Sequence, residues 1–195
     1  AGRHDNNIVS LMSAGAGELL RDVLMGHGDN AEVSRVGLLA FAALSRNEVH
    51  CSALLEANAS DVVQAGLRER VKDSDILIRG FAVIGRLVAC ANIEHPFRVG
   101  EPGETVVQVM QNHPSDPGVA ALGCKALANL ARRDEDIAAL MAIGAGDAVL
   151  MAMRLHSTCE GLVIKNGCCA VQNLGSKNED NQRALALAGA FHIMH

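Results

Sequence analysis

The 195 residues are 49% apolar and carry a formal charge of −5, from 17 Lys and Arg against 22 Asp and Glu; this supports a substantial core and excludes a disordered chain. With four Phe and neither Tyr nor Trp, the core falls to Ala, Leu, Val, Ile and Met, which favours helices over a strand-rich sandwich or barrel. The same scarcity removes platforms for stacked bases, and mild acidity opposes a phosphate backbone, so nucleic acid is not expected as a partner.

Taken in chain order, the predicted elements recur. Ser13-Ala14-Gly15-Ala16-Gly17-Glu18 ends one helix and begins another, because glycine supplies the stop and apolar helical spacing resumes after it. His27 closes that second helix, where a cation faces the negative end of the helix dipole, worth about 0.3 to 1 kcal/mol if charged. A third helix is centred on Gly37, with Val33, Ala40, Phe41 and Leu44 at offsets −4, +3, +4 and +7. Those offsets define one helical face; a strand would alternate. The second unit repeats this face around Gly80, with Ile76, Val83, Ile84 and Leu87. There Ala57-Asn58-Ala59-Ser60 replaces the glycine phrase and Arg70 replaces the histidine.

In the third unit the helices are predicted at about 90–99, 103–113 and 118–132, and Gly100-Glu101-Pro102-Gly103 is read as the break. His95-Pro96 is expected to shorten or distort the first of these. His113 closes the second, and Val119, Gly123, Ala126, Leu127 and Leu130 form the face of the third. The fourth unit returns to Ala142-Ile143-Gly144-Ala145-Gly146-Asp147, which lies 129 residues after the first phrase. His156 follows, then Val163, Gly167, Ala170, Val171 and Leu174; Leu187-Ala188-Gly189-Ala190 opens a fifth copy.

The central glycines are spaced by 43, 43 and 44 residues. Glycine inside a helix costs about 1 kcal/mol relative to alanine, so the pattern predicts a neighbouring helix packed closely at each one. Repeats are expected at about 5–46, 47–89, 90–133 and 134–177, with a partial fifth over 178–195. One unit cannot bury its apolar face alone, so stacked copies are expected to form a single rod without an internal boundary. The missing initial Met and the cut final repeat suggest a piece of a longer protein. Exposed repeat ends would then allow dimerisation.

Gly123-Cys124-Lys125-Ala126-Leu127-Ala128-Asn129-Leu130-Ala131 resembles the third-helix phrase of the armadillo repeat. Gly167-Cys168-Cys169-Ala170-Val171-Gln172-Asn173-Leu174 is a second close copy; Gly37 to Ser45 and Gly80 to Val88 keep the framework without the asparagine. The resemblance covers all four units and the start of the fifth. It implies an all-α fold, a right-handed α-solenoid of three-helix repeats whose third helices line a concave groove for an extended peptide. Family members that carry nuclear-import signals place Trp on this helix and Asn four residues later. Here the Asn positions read Ala43, Arg86, Asn129 and Asn173, and the Trp positions read Leu39, Ala82, Lys125 and Cys169. Without aromatic slots for lysine stems, carriage of basic signals is not expected.

The residues support a groove independently, since offsets +2, +6 and +9 lie opposite the buried face. They are Leu39, Ala43, Arg46; Ala82, Arg86, Ala89; Lys125, Asn129, Arg132; and Cys169, Asn173, Ser176. Arg46, Arg86, Lys125 and Arg132 are basic and none of the twelve is acidic, while acids gather at Asp134-Glu135-Asp136 and Glu179-Asp180. The expectation is a positive groove for an extended, acidic-containing segment; the alternative is an ordinary solvated face with chance charge. Asn129 and Asn173 can pair with any peptide backbone, because an amide donates and accepts. The alternative for them is a local bond to a neighbouring loop.

No catalytic constellation is found. His50-Cys51 are neighbours that cannot face each other on a helix. His192 and His195 have a metal-compatible spacing without a third ligand. The adjacent Cys168 and Cys169 are read as one core and one groove residue, and the glycine phrases lack the phosphate-loop pattern. Met and Leu on the second helices are read as core. No metal or cofactor is expected. Six cysteines without a Cys-x-x-Cys pair suggest reduced thiols in the cytoplasm or nucleus. No apolar run approaches the roughly 20 residues of a membrane span. The leading expectation is a non-catalytic scaffold or adaptor for a protein partner; the alternatives are a transport adaptor for a targeting peptide and a regulatory region of a larger enzyme or cytoskeletal protein.

Overall fold

A computed structural model describes residues 3–45, 48–69, 73–90, 100–157, 161–176 and 178–189. Among the described residues there are twelve α-helices and no strand. They fall in two compact units, Ala1–Phe97 and Arg98–His195.

The first unit holds α1 (Arg3–Ser13), α2 (Ala16–Gly26), α3 (Ala31–Leu44), α4 (Glu48–Glu56), α5 (Ala59–Glu69) and α6 (Ser74–Cys90). The third helices α3 and α6 lie against each other, and the second helices α2 and α5 pack on them. The second unit holds α7 (Gly100–Asn112), α8 (Pro117–Leu130), α9 (Asp134–Ala142), α10 (Ala145–Leu155), α11 (Gly161–Leu174) and α12 (Glu179–Leu187). Here α8 packs along α11, with α7 and α10 beneath.

Three boundaries differ from expectation. Gly100-Glu101-Pro102-Gly103 does not precede the second helix of the third unit; it forms the first turn of α7. Proline is at home there, because first-turn N–H groups have no intrahelical partner. The third helix of that unit ends at Leu130 rather than residue 132. Cys90, read as the start of the next helix, ends α6; the rest of that helix, with His95-Pro96, lies outside the described residues.

The turns between first and second helices need a left-handed residue. Gly15 and Gly144 provide it, each with φ 82°, and Gly189 has φ 93°. Asn58 does the same work at φ 55°, since its short polar side chain tolerates this region better than most. Three of the third helices start on a cap seven residues before Gly37, Gly80 and Gly123. Asn30 Oδ1 accepts from the Glu32 and Val33 N–H groups, Asp73 Oδ1 from Asp75 and Ile76, and Asp116 Oδ1 from Gly118 and Val119. Asp116→Ala is expected to lower stability by about 1 kcal/mol in urea unfolding; an unchanged midpoint would show that the cap is dispensable.

Most of the apolar face is buried as its spacing predicts, although Val33, Ala40 and Val171 are only half-buried. Phe41, Leu44, Ile76, Ile84, Leu87, Val119, Leu127, Leu130, Val163 and Leu174 are all core residues. The glycines mark close helix contacts within each repeat. A Cβ added at Gly37, Gly80, Gly123 or Gly167 would come closer than 3.0 Å to Leu24, Leu67, Met110 or Met153 respectively. Those four residues occupy one register on the second helices and are buried.

Candidate peptide-binding face

Burying the Gly/Leu face turns the +2, +6 and +9 positions outward. Leu39, Ala43, Arg86, Lys125, Arg132 and Cys169 are exposed, and Ala82, Asn129, Asn173 and Ser176 are half-buried. Lys125 and Asn129 lie on α8, Arg132 just past its end, and Asn173 on the adjacent α11. Arg86 stands on α6 in the other unit. Arg46 and the Ala89 side chain lie outside the described residues.

The +6 residues have a structural task as well as an exposed position. Asn173 Nδ2 donates to the Ala128 carbonyl at 2.8 Å, and Arg86 Nη1 donates to the Ala42 carbonyl. Both bonds run from one third helix to the +5 carbonyl of the preceding one. The acceptor for Asn173 is thus a neighbouring helix, not a loop. Two further clamps join the repeats of the second unit, one from Asn166, which the sequence pattern does not mark, and one from His156, expected only as a helix-closing residue. Buried Asn166 donates from Nδ2 to the Ala121 carbonyl at 2.8 Å. His156, the buried C-cap of α10, donates from Nε2 to the Pro114 carbonyl at 3.0 Å. His27 likewise caps α2.

The acids lie at helix starts, where the dipole favours them. Asp134, Glu135 and Asp136 form the first turn of α9, and Glu179 and Asp180 that of α12. Arg133 binds Asp136 in bidentate fashion, Nε to Oδ2 at 2.7 Å and Nη2 to Oδ1 at 2.9 Å.

Cys51 is fully buried, with its thiol 3.4 Å from the Ser45 carbonyl. Burial pushes the Cys124 thiol up to about 12, so its thiolate is negligible at neutral pH. Cys168 is half-buried and Cys169 exposed; these four are free thiols. Among the described residues no group of three or more His, Cys, Asp or Glu side chains could hold a metal. His192 and His195 lie outside the described residues. No single described helix is long and apolar enough to cross a membrane.

No protein-family model matches the chain, nor does any curated protein sequence. Solved structures do. The designed armadillo repeat protein YIII(Dq.V1)4CPAF, in complex with the peptide (KR)4, is similar at TM-score 0.78 and 23% identity, over 96% of this chain and 76% of that one. A second designed armadillo repeat protein, YIII(Dq)4CqI, matches at TM-score 0.78 and 24% identity over the same shares. An engineered protein reaches TM-score 0.83 at 22% identity, over 98% of this chain and 76% of its own. The fold is therefore all-α, of the armadillo-repeat solenoid class.

Proposed function

We propose that the chain is a non-catalytic scaffold whose third helices bind an extended, acidic-containing segment of a partner protein. The observation that carries this reading is the charge of the outward row. In the first unit Arg86 is exposed at a +6 position, and in the second Lys125 and Arg132 are exposed at +2 and +9, with no acid at any of the twelve positions although the chain is acidic overall. Asn129 stands at the +6 position of α8 with an amide of the kind that can pair with a peptide main chain, whereas the Asn173 amide already donates to the Ala128 carbonyl. A structural neighbour holds the peptide (KR)4, which supports peptide binding by this fold; the basic row here calls for a ligand of opposite sign. The free thiols Cys51, Cys124, Cys168 and Cys169 support a reducing compartment such as the cytoplasm.

The test is a fluorescence anisotropy titration with labelled (Glu-Asp)4 and (KR)4. The acidic peptide is expected to bind at least tenfold more tightly at low salt and to weaken as salt rises. Equal affinity, or a preference for the basic peptide, would remove the acidic-segment reading.

A further inference from the structure

First helices lock onto the repeat before them through one leucine, four residues ahead of the left-handed residue that follows. A Cβ added at Gly17, Gly103 or Gly146 would stand 3.2, 2.7 or 3.1 Å from Cδ2 of Leu54, Leu140 or Leu185 respectively. Each glycine lies near the start of a second helix (α2, α7, α10), and each leucine on the first helix of the next repeat (α4, α9, α12). All three leucines are buried. Leu11 holds the same place in α1, four residues before Gly15, yet it is 53% exposed.

The rest of that face is open as well. Leu19 is 65% exposed, while its counterparts Val62 and Ala148 are buried. Val33 and Ala40 of α3 are half-buried, whereas Ile76 and Val83 on α6 and Val163 and Ala170 on α11 are fully buried. Asn181 Nδ2 on α12 donates to the Leu174 carbonyl at the end of α11, at 3.1 Å; Asn7, at the same place in α1, is exposed.

The opposite face is open on α11. Positions −3 and +1 of a third helix face the repeat that follows: Ser34 and Leu38 share a cavity with Val62, and Ala120 shares one with Ala148. Ser34, Leu38, Ala120 and Cys124 are buried, but Ile164 and Cys168, the same positions on α11, are only half-buried. Among the described residues, α12 packs on this face from beyond the fourth repeat, and Leu185 is its one buried side chain.

We propose that a second copy of this chain docks there head to tail, α1 taking the place that α12 holds and Leu11 meeting Gly146 in place of Leu185. The chain itself identifies this occupant. It joins such faces within each unit, and α1 carries the leucine and asparagine of α12 in the same register. The incoming repeat brings Leu11, Leu19, Val33 and Ala40, whereas α12 buries Leu185 alone, so the larger apolar area favours the exchange. Because two different faces meet, the contact can recur from copy to copy. It is separate from the outward row and does not depend on the peptide reading.

Sedimentation velocity of the intact chain over a dilution series is expected to show species that grow past the dimer. Leu11→Asp, at an exposed position, should keep the helical circular dichroism and reduce association at least tenfold; Leu19→Asp replaces it if the fold is lost. Ile164→Asp, or Cys168→Asp if that variant does not fold, should do the same from the other face. Mixing the two kinds of variant should restore a dimer and nothing larger, because each keeps one intact face. Leu185→Ala loosens the tethered competitor and should strengthen association at least tenfold. The proposal is overturned by a chain that stays monomeric throughout, or by undiminished association in folded Leu11→Asp. Dimers that persist in Ile164→Asp alone would overturn it by showing that like faces pair. Association unchanged or weakened by Leu185→Ala would overturn it too, since α12 would then not occupy the docking site.

Discussion

Gly80→Ala is expected to destabilise the protein by about 1 to 3 kcal/mol in urea unfolding, although alanine is the better helix former by about 1 kcal/mol. The reason is the Leu67 side chain on α5. It is fully buried, and the new methyl would stand closer than 3.0 Å to its Cγ and Cδ2. Helix propensity is gained, but the second helix must move away or Leu67 must leave its rotamer, and the clash is the larger effect. A double-mutant cycle isolates the contact. Leu67→Ala alone should cost about 2 to 5 kcal/mol through the cavity it leaves. With that space open, adding Gly80→Ala should cost nothing or restore stability, so the two changes will be strongly non-additive. Additive values would show that the glycine serves something other than close approach.

Reversing two charges on the outward row should reverse the ligand preference. Lys125 lies on α8 and Arg132 in the turn just past its end, and both are exposed. Lys125→Glu with Arg132→Glu is expected to weaken (Glu-Asp)4 binding at least tenfold at low salt and to strengthen (KR)4 binding. An ion pair at about 4 Å is worth about 1 kcal/mol in water, and reversal replaces each attraction with a repulsion of similar size. Neither side chain belongs to the buried face, so helical circular dichroism should hold. Unchanged affinity for the acidic peptide in a folded variant would eliminate this row as the binding surface.

Much of the architecture is legible because two periods coincide in the residues. The Gly37, Gly80, Gly123 and Gly167 series marks the repeat, and the −4, +3, +4 and +7 neighbours mark the helix face within it. Their burial follows from the second period alone. The caps Asn30, Asp73 and Asp116 follow the same spacing, so that signal was available in the chain. It is weak in any single copy, since Asn and Asp also mark ordinary turns. Gly100 to Gly103 misleads for a related reason: proline and glycine punctuate structure, but the first turn of a helix accepts both. The donors Arg86, Asn166 and Asn173 were less legible. Which carbonyl each reaches depends on how far one repeat is displaced from the last, and pattern alone does not contain that distance.

The four clamps described above each end on a main-chain oxygen: Ala42 for Arg86, Ala121 for Asn166, Ala128 for Asn173 and Pro114 for His156. Any amino acid offers that acceptor, so the donor makes no demand on the side chains of its predecessor. Neighbouring modules can therefore diverge at their outer surfaces, or be exchanged for one another, without breaking the seam that joins them. Arg86 and Asn173 belong to both the seam and the outward face, so only outward residues such as Lys125 are free to vary without touching the bonds that hold successive modules in line.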